Sequence, residues 1–349
     1  MGASLEDILG KITSRDIAKL AGVSVSTVSI VMNRKSGVSD ETRERVLNIL
    51  AENGIFPHGN AQGGGGGIIR FCKIAKHGHI INNRHTVFIA DYIDGIVEAA
   101  KSFNYTVEFA TFNMAPIAEI VDNLRSSHGL AGCIILATEL SEEDIAKFST
   151  ISMPVIFLDA MFQYLPGAFV TMDNYGMVYD VLRYLQTQGH RRIGMLAAEG
   201  GSNFQCRRLA FVQGMKELGL ELDEKLMFIL NSTHSGSYED MKAVLDHRGF
   251  EPPVAFFACN DMVAIGAVRA LREYHLRVPE DVSIVGFDDL PASSLVSPAL
   301  TSMSVPKREI GMQGVRMLVD RISGQCQLRS ERCVLGGSLV IRSSVQQAS

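Results

Sequence analysis

Tryptophan is absent from the chain, and aromatic residues together make up only 7% of its 349 positions. An aromatic sandwich around a sugar or a base is therefore not evident from composition. The six cysteines, Cys72, Cys133, Cys206, Cys259, Cys326 and Cys333, are scattered and form no CxxC pair. A disulfide framework is not indicated, and a reducing cytoplasm is the expected compartment. Cys72, Cys133 and Cys259 lie in apolar, strand-like runs, where a thiol behaves as a small hydrophobe. No apolar run reaches the roughly 20 residues that cross a bilayer. The opening MGASLEDILG lacks the basic segment and apolar core of a secretory signal, so no membrane partner is expected. A strong positive field is missing too. Net charge is −5, and between Lys11 and Gln62 seven Lys/Arg face five Asp/Glu, a balance of +2. Bulk charge makes a poor case for nucleic acid, and a motif has to carry it. No His, Cys, Asp and Glu share metal-ligand spacing, and no G-x-S-x-G occurs. Asp288 and Asp289 are adjacent, and adjacent residues in extended backbone point apart. Neither an enzyme nor a cofactor nor a metal is expected.

What is present starts with TSRDIAKLAGVSVSTVSIVMN, residues 13–33. Thr13 can cap a helix, with Asp16 completing a capping box. Ile17, Ala18, Leu20 and Ala21 follow at helical spacing. Gly22 stands where the chain must turn, since glycine accepts a left-handed backbone without steric cost. Ser24 can cap a second helix, with Val28 and Val31 inward and Val25, Ser26, Ser29 and Ile30 outward. Two short helices joined this way are the geometry that lays the second helix into a DNA major groove. Ser39 opens a third helix, with Val46, Ile49 and Leu50 on its apolar face and Gly54 at its end. These helices make a head over 12–58, followed by a glycine-rich linker over 59–67. The run Gly63–Gly67 lacks a following Lys-Ser/Thr and a preceding strand, so a phosphate-cradling loop is disfavoured.

From Ile68 onward, short apolar strands alternate with helical stretches. The pattern predicts strands at 68–75, 106–109, 133–137, 155–158, 169–172, 193–198, 227–230, 254–259, 283–287 and 338–341. Near-continuous apolar strands between helices argue for parallel sheets covered on both faces. Ten strands fit two lobes of about five better than one sheet, with ligands bound outside the strands' carboxyl ends.

AGVS, STVS, MN and GVSDETRERV resemble the head of the lactose-repressor (LacI/GalR) family of bacterial transcription regulators. QGHRRIGMLAA, CRRLAFVQGM, FFACNDMVAIGAVRAL, VPEDVSIVGFDDL and SPALTSMSVP look like successive landmarks of that family's core. The resemblance implies an all-α helix-turn-helix head followed by an α/β, two-lobed, periplasmic-binding-protein-like core over 68–349. Lobe 1 would take 68–165 and 292–323, and lobe 2 would take 166–291 and 324–343. Base reading would fall on Val25, Ser26 and Ile30, with Ser24, Thr27, Ser29 and Asn33 as backbone or edge partners. Val25 and Ile30 offer only apolar contact, for which a thymine methyl is the available target. Thr13, Ser14, Ser39 and Thr42 could donate to phosphates, which positions the head without reading sequence. Ala61 and Gln62 match the family's hinge helix, whose minor-groove wedge would fall on Gly64. A glycine run costs about 1 kcal/mol per residue against alanine in a helix, so little central kinking is expected.

In the cleft, Arg207 matches the family's ligand-reaching arginine and Asp261 the acid that accepts from ligand donors. Asp173 and Asn203 are second-rank candidates, and Phe88 could stack on a ligand. The expected function is operator-DNA binding by a homodimeric repressor under control of a small-molecule effector, a sugar or related metabolite. No heptad pattern follows the last strand, which favours a dimer over a tail-assembled tetramer. The alternative is a cytoplasmic sugar-type binding protein with weak or lost operator binding.

Overall fold

The computed structural model of the protein describes residues 14–32, 37–39, 41–43, 45–46, 49, 67–78, 86–247, 251, 254–326 and 328–348. Thr13, Asn33, Leu50, Ala61, Gln62 and the run Gly63–Gly66 lie outside the described residues, as does the side chain of Ser14.

In the head, α1 spans Ser14–Ala21 and α2 spans Val25–Met32. Ile17, Ala18 and Ala21 pack with Val28, Val31 and Val46, and with half-buried Val23, Val38 and Ile49. Gly22 takes φ +64°, and the Val23 amide returns to the Ala18 carbonyl at 2.9 Å, closing α1 in the left-handed manner expected of glycine. Leu20 departs from the expected apolar face and is 60% exposed. It lies roughly 100° round the helix from the centre of the buried trio. Residues 41–43, 45, 46 and 49 are helical, as Ser39 predicts, and the Thr42 amide donates to the Ser39 hydroxyl.

From Gly67 onward the described chain, apart from Lys101–Asn104, forms one compact unit. Its elements are β1 (Ile68–Ala75), α3 (Thr86–Ser102), β2 (Thr106–Asn113), α4 (Ile117–Ser126), β3 (Leu130–Leu136), α5 (Glu142–Lys147), β4 (Val155–Leu158), β5 (Ala168–Met172), α6 (Asn174–Thr187) and β6 (Ile193–Ala197). There follow α7 (Ser202–Glu217), β7 (Met227–Ile229), α8 (His234–His247), β8 (Val254–Ala258), α9 (Asp261–Glu273), β9 (Val282–Asp288), α10 (Pro291–Leu295), β10 (Thr301–Ser304), α11 (Lys307–Ile322), β11 (Glu331–Leu335) and β12 (Ser338–Val340).

Two six-stranded sheets result, ordered β11-β5-β4-β3-β1-β2 and β12-β10-β9-β8-β6-β7. The first is wholly parallel. The second is parallel except for β12, which pairs antiparallel with β10. β5, β6, β8 and β9 are buried along their whole length, because helices cover both faces of such sheets.

The sheets divide the chain differently from the expected lobes. β5, expected in lobe 2, pairs with β4 in the first sheet. β11, also expected in lobe 2, joins β5 there. β10, expected in lobe 1, pairs with β9 in the second sheet, while the neighbouring α11 packs on β3, β4 and β5. The chain thus passes between sheets after β5, after β10 and again after β11.

Candidate functional site

Parallel strands bring their carboxyl ends to one edge of each sheet, and the loops there converge on a cavity. Thr138 follows β3, Asp159 follows β4, Gly200 and Gly201 precede α7, Asn260 follows β8, and Asp288 closes β9; all line it, with Phe88 from α3. The cavity measures about 40 Å³, room for a few waters and too small for a sugar ring.

A chain of polar contacts crosses this cavity. Asp159 accepts from the Tyr92 hydroxyl at 3.0 Å and the Thr138 hydroxyl at 2.5 Å. The Asn203 amide, on α7, donates to both the main-chain oxygen of Asp159 (2.9 Å) and its Oδ1 (3.1 Å). Asn174 donates to Asn203 Oδ1 at 2.9 Å and accepts from Arg207 Nε at 2.9 Å. Arg207 also donates to the Cys259 carbonyl at 2.6 Å, reaches Met172 Sδ at 3.0 Å and Asp288 Oδ1 at 3.5 Å, and lies 3.8 Å from the centre of the Phe287 ring. Lys307, first residue of α11, donates to the Asp288 carbonyl at 2.6 Å and lies 5.4 Å from the centre of the Phe88 ring.

Electrostatics follow from this burial. Asp159 is pushed up to about 6 because burial penalises its charge, although Thr138 and Tyr92 pull the other way. Burial also raises Asp288, against Arg207 and Lys307. Asp159 (φ +62°), Asp288 (φ +106°) and Asp289 (φ +48°) hold left-handed backbone that non-glycine residues rarely adopt. Such strain persists where surrounding contacts over-determine it, typically at functional sites. Asp288 and Asp289 do point apart, to Arg207 and Arg342 respectively.

Of the cleft residues named from sequence, Arg207, Asn203 and Phe88 line the cavity. Asp261 does not. It is fully buried behind the wall, with Oδ2 accepting from the Leu290 amide and the Ser293 hydroxyl, both at 2.7 Å, and Oδ1 from the Ser302 hydroxyl at 2.6 Å. Burial, with Asp288 nearby, lifts it to about 7. The cap of α9 is Asn260, which accepts from the Val263 amide at 2.8 Å. Asp173 also stays off the cavity and caps α6 by accepting from the Gly176 amide at 2.9 Å. Sequence reasoning missed Asp159, Asp288, Asn174 and Lys307. For Asp159 and Asp288 the available signal was an acid placed where an apolar strand stops.

In the head, Ser24 caps α2, accepting from the Thr27 amide at 3.0 Å. Its hydroxyl also meets those of Ser26 and Thr27. Val25, Ser26 and Ser29 are exposed and Ile30 half-buried, opposite inward Val28 and Val31.

Residues 13–57 match the profile of bacterial regulatory proteins of the lacI family. Residues 182–345 match the periplasmic binding protein-like domain. The chain thus joins a lacI-type head to a periplasmic binding protein-like domain. Curated relatives of this chain include the HTH-type transcriptional repressor PurR of Haemophilus influenzae, 28% identical over 344 residues, 96% of this chain and 98% of that one. Among solved structures, the transcriptional regulator CelR–cellobiose complex is similar at TM-score 0.70 and 27% identity, covering 95% of this chain and 99% of that one. The lac repressor dimer bound to operator and the anti-inducer ONPF is similar at TM-score 0.70 and 25% identity, covering 96% and 99%. These relatives are regulators of transcription. No helix among the described residues is long and apolar enough to cross a membrane.

Proposed function

We propose that this chain works as a homodimeric transcriptional repressor whose hold on operator DNA is set by a small, uncharged, sugar-like molecule received in the cleft. The observation that carries the reading is the buried network from Asp159 through Asn203 and Arg207 to Asp288, which joins the two sheets across the cavity. A ligand that rearranges such a bridge prefers one arrangement of the lobes. That differential preference is what shifts a regulator's population. The similarity to a cellobiose-bound regulator and to an operator-bound dimer supports the ligand class and the assembly. The exposed face of α2, with Val25, Ser26 and Ser29, would meet base edges, and Ser39 and Thr42 would meet phosphates.

Fluorescence anisotropy on genomic fragments, with and without a panel of neutral sugars, tests this. The expected result is one or more fragments bound at modest salt, with affinity moved at least fivefold by a sugar. Binding to no fragment in any condition overturns it. The receptor-only alternative is favoured by the five glycines at Gly63–Gly67, because loosely tethered heads forgo preorganisation. It predicts sugar binding without fragment binding.

A further inference from the structure

Eight residues make up α2, and none of them is charged. Val25, Ser29, Ser26 and Ile30 fall at about 0°, 40°, 100° and 140° round the helix. Val28 and Val31 point the opposite way into the core of the head, both fully buried. The outward arc is thus bounded by two aliphatic side chains, with two serines between them. Val25 is 45% exposed and Ile30 is half-buried. In the major groove a base pair presents hydrogen-bond acceptors, hydrogen-bond donors and, on thymine, a C5-methyl group. An aliphatic side chain senses only the methyl. Serine does not separate the other two, because its hydroxyl donates or accepts as required. Ser26 is also held back toward the start of the helix, its Oγ 2.6 Å from that of Ser24, which accepts from the Thr27 amide. Arginine, the commonest reader of guanine, has no counterpart on this arc.

Thymine and cytosine differ in the major groove at two points: O4 against the N4 amino group, and the methyl that cytosine lacks. 5-Methylcytosine keeps the amino group and gains the methyl. For a helix bearing charged or amide side chains the amino group decides between the two bases; for α2 the methyl decides. We propose that α2 recognises C5-methyl groups as such, so that 5-methylcytosine serves in place of thymine in the operator, and methylation of a cytosine creates a contact that plain cytosine lacks. The hold on DNA then answers to the methylation state of the DNA as well as to the molecule in the cleft. The inference rests on the proposed function for operator binding, and on nothing in it that concerns the effector.

The test uses the full-length chain. A random-sequence duplex library is selected against it to enrich a binding site. Each thymine of that site is then replaced in turn by uracil, by cytosine opposite guanine, and by 5-methylcytosine opposite guanine. Fluorescence anisotropy at one fixed salt concentration is expected to find positions in each half of the site where uracil and cytosine weaken binding about fourfold, the worth of one buried CH₂. At those positions 5-methylcytosine stays within twofold of thymine. In Val25→Ala, and separately in Ile30→Ala, the gap between cytosine and 5-methylcytosine closes at one such position. Circular dichroism reports whether each variant folds, and exposed Val25 carries the test where Ile30→Ala does not. Uracil equal to thymine at every position, or 5-methylcytosine no better than cytosine, overturns the proposal. A methyl effect of full size in every folded variant also overturns it, because the methyl then acts through DNA shape. Enrichment of no sequence overturns the operator reading and this proposal with it, whereas an enriched site indifferent to methyl groups overturns this proposal alone.

Discussion

Along α2, eight residues carry no charge at all, and the outward side consists of a valine, two serines and an isoleucine. Around the cleft, Asp159, Asp261, Asp288, Arg207 and Lys307 are all buried. The first region holds short, uncharged side chains, exposed at Val25, Ser26 and Ser29. The second holds charges whose desolvation is offset by one another and by buried hydroxyl and amide donors. A change on the α2 face should therefore alter what is recognised and spare the fold, whereas a change in the cleft alters both together.

The sharpest way to break this contrast is Arg207→Met. Removing one partner of a buried charge network costs about 3–5 kcal/mol, because Asp288 and the Asn174 and Cys259 oxygens lose their donor. Urea unfolding of the full chain should show the loss, and a loss under about 1 kcal/mol would put Arg207 with the surface residues.

Acidity is the second test. Asp159 and Asp261 titrate at about 6 and about 7 when folded, above their unfolded value near 3.9. Between those limits the folded chain holds protons that the unfolded chain has released. Stability from these groups is thus greatest near pH 4 and falls as pH rises through 7. Tm measured from pH 5 to 8 should decline, and Asp261→Asn should flatten the decline. A rise over that window contradicts the burial argument.

Smaller effects belong to the head. Ser24→Ala removes the cap of α2 and should cost about 1 kcal/mol of head stability, read by circular dichroism. Val25→Ala should leave Tm unchanged and weaken operator binding by roughly 0.8 kcal/mol, the worth of burying one of the two lost carbons against a thymine methyl. Uracil in place of the contacted thymine should erase that difference. Least of all, Gly64→Leu alone should not increase DNA bending, because the neighbouring glycines still oppose a helix there; strong bending by the native chain would refute this.

Much of the fold was legible because periodicity reports burial. The fully buried strands β5, β6, β8 and β9 are apolar apart from Thr171, Ser283 and Asp288, and Val28 and Val31 sit where a helix turns inward. β10 and β11 escaped because TSMS and ERCVL lack such runs, and β11 is half-exposed along its length. The cleft was only partly legible. Arg207 was indicated by the family resemblance, and it lines the cavity. Asp261 was indicated in the same way yet lies behind the wall, since sequence spacing gives direction along an element and not depth below a surface. Asp159 and Asp288 were marked only as acids where an apolar strand stops, and the left-handed backbone that aims them has no such mark.

The three passages between sheets carry a consequence for synthesis. The edge strands β11 and β12 complete opposite sheets, yet both come from residues 331–340. Neither half of the clamshell is finished until that late segment has emerged from the ribosome, so the N-terminal sheet waits on the ribosome with the flank of β5 unpaired. Stalled or shortened products would expose that flank and depend on chaperones.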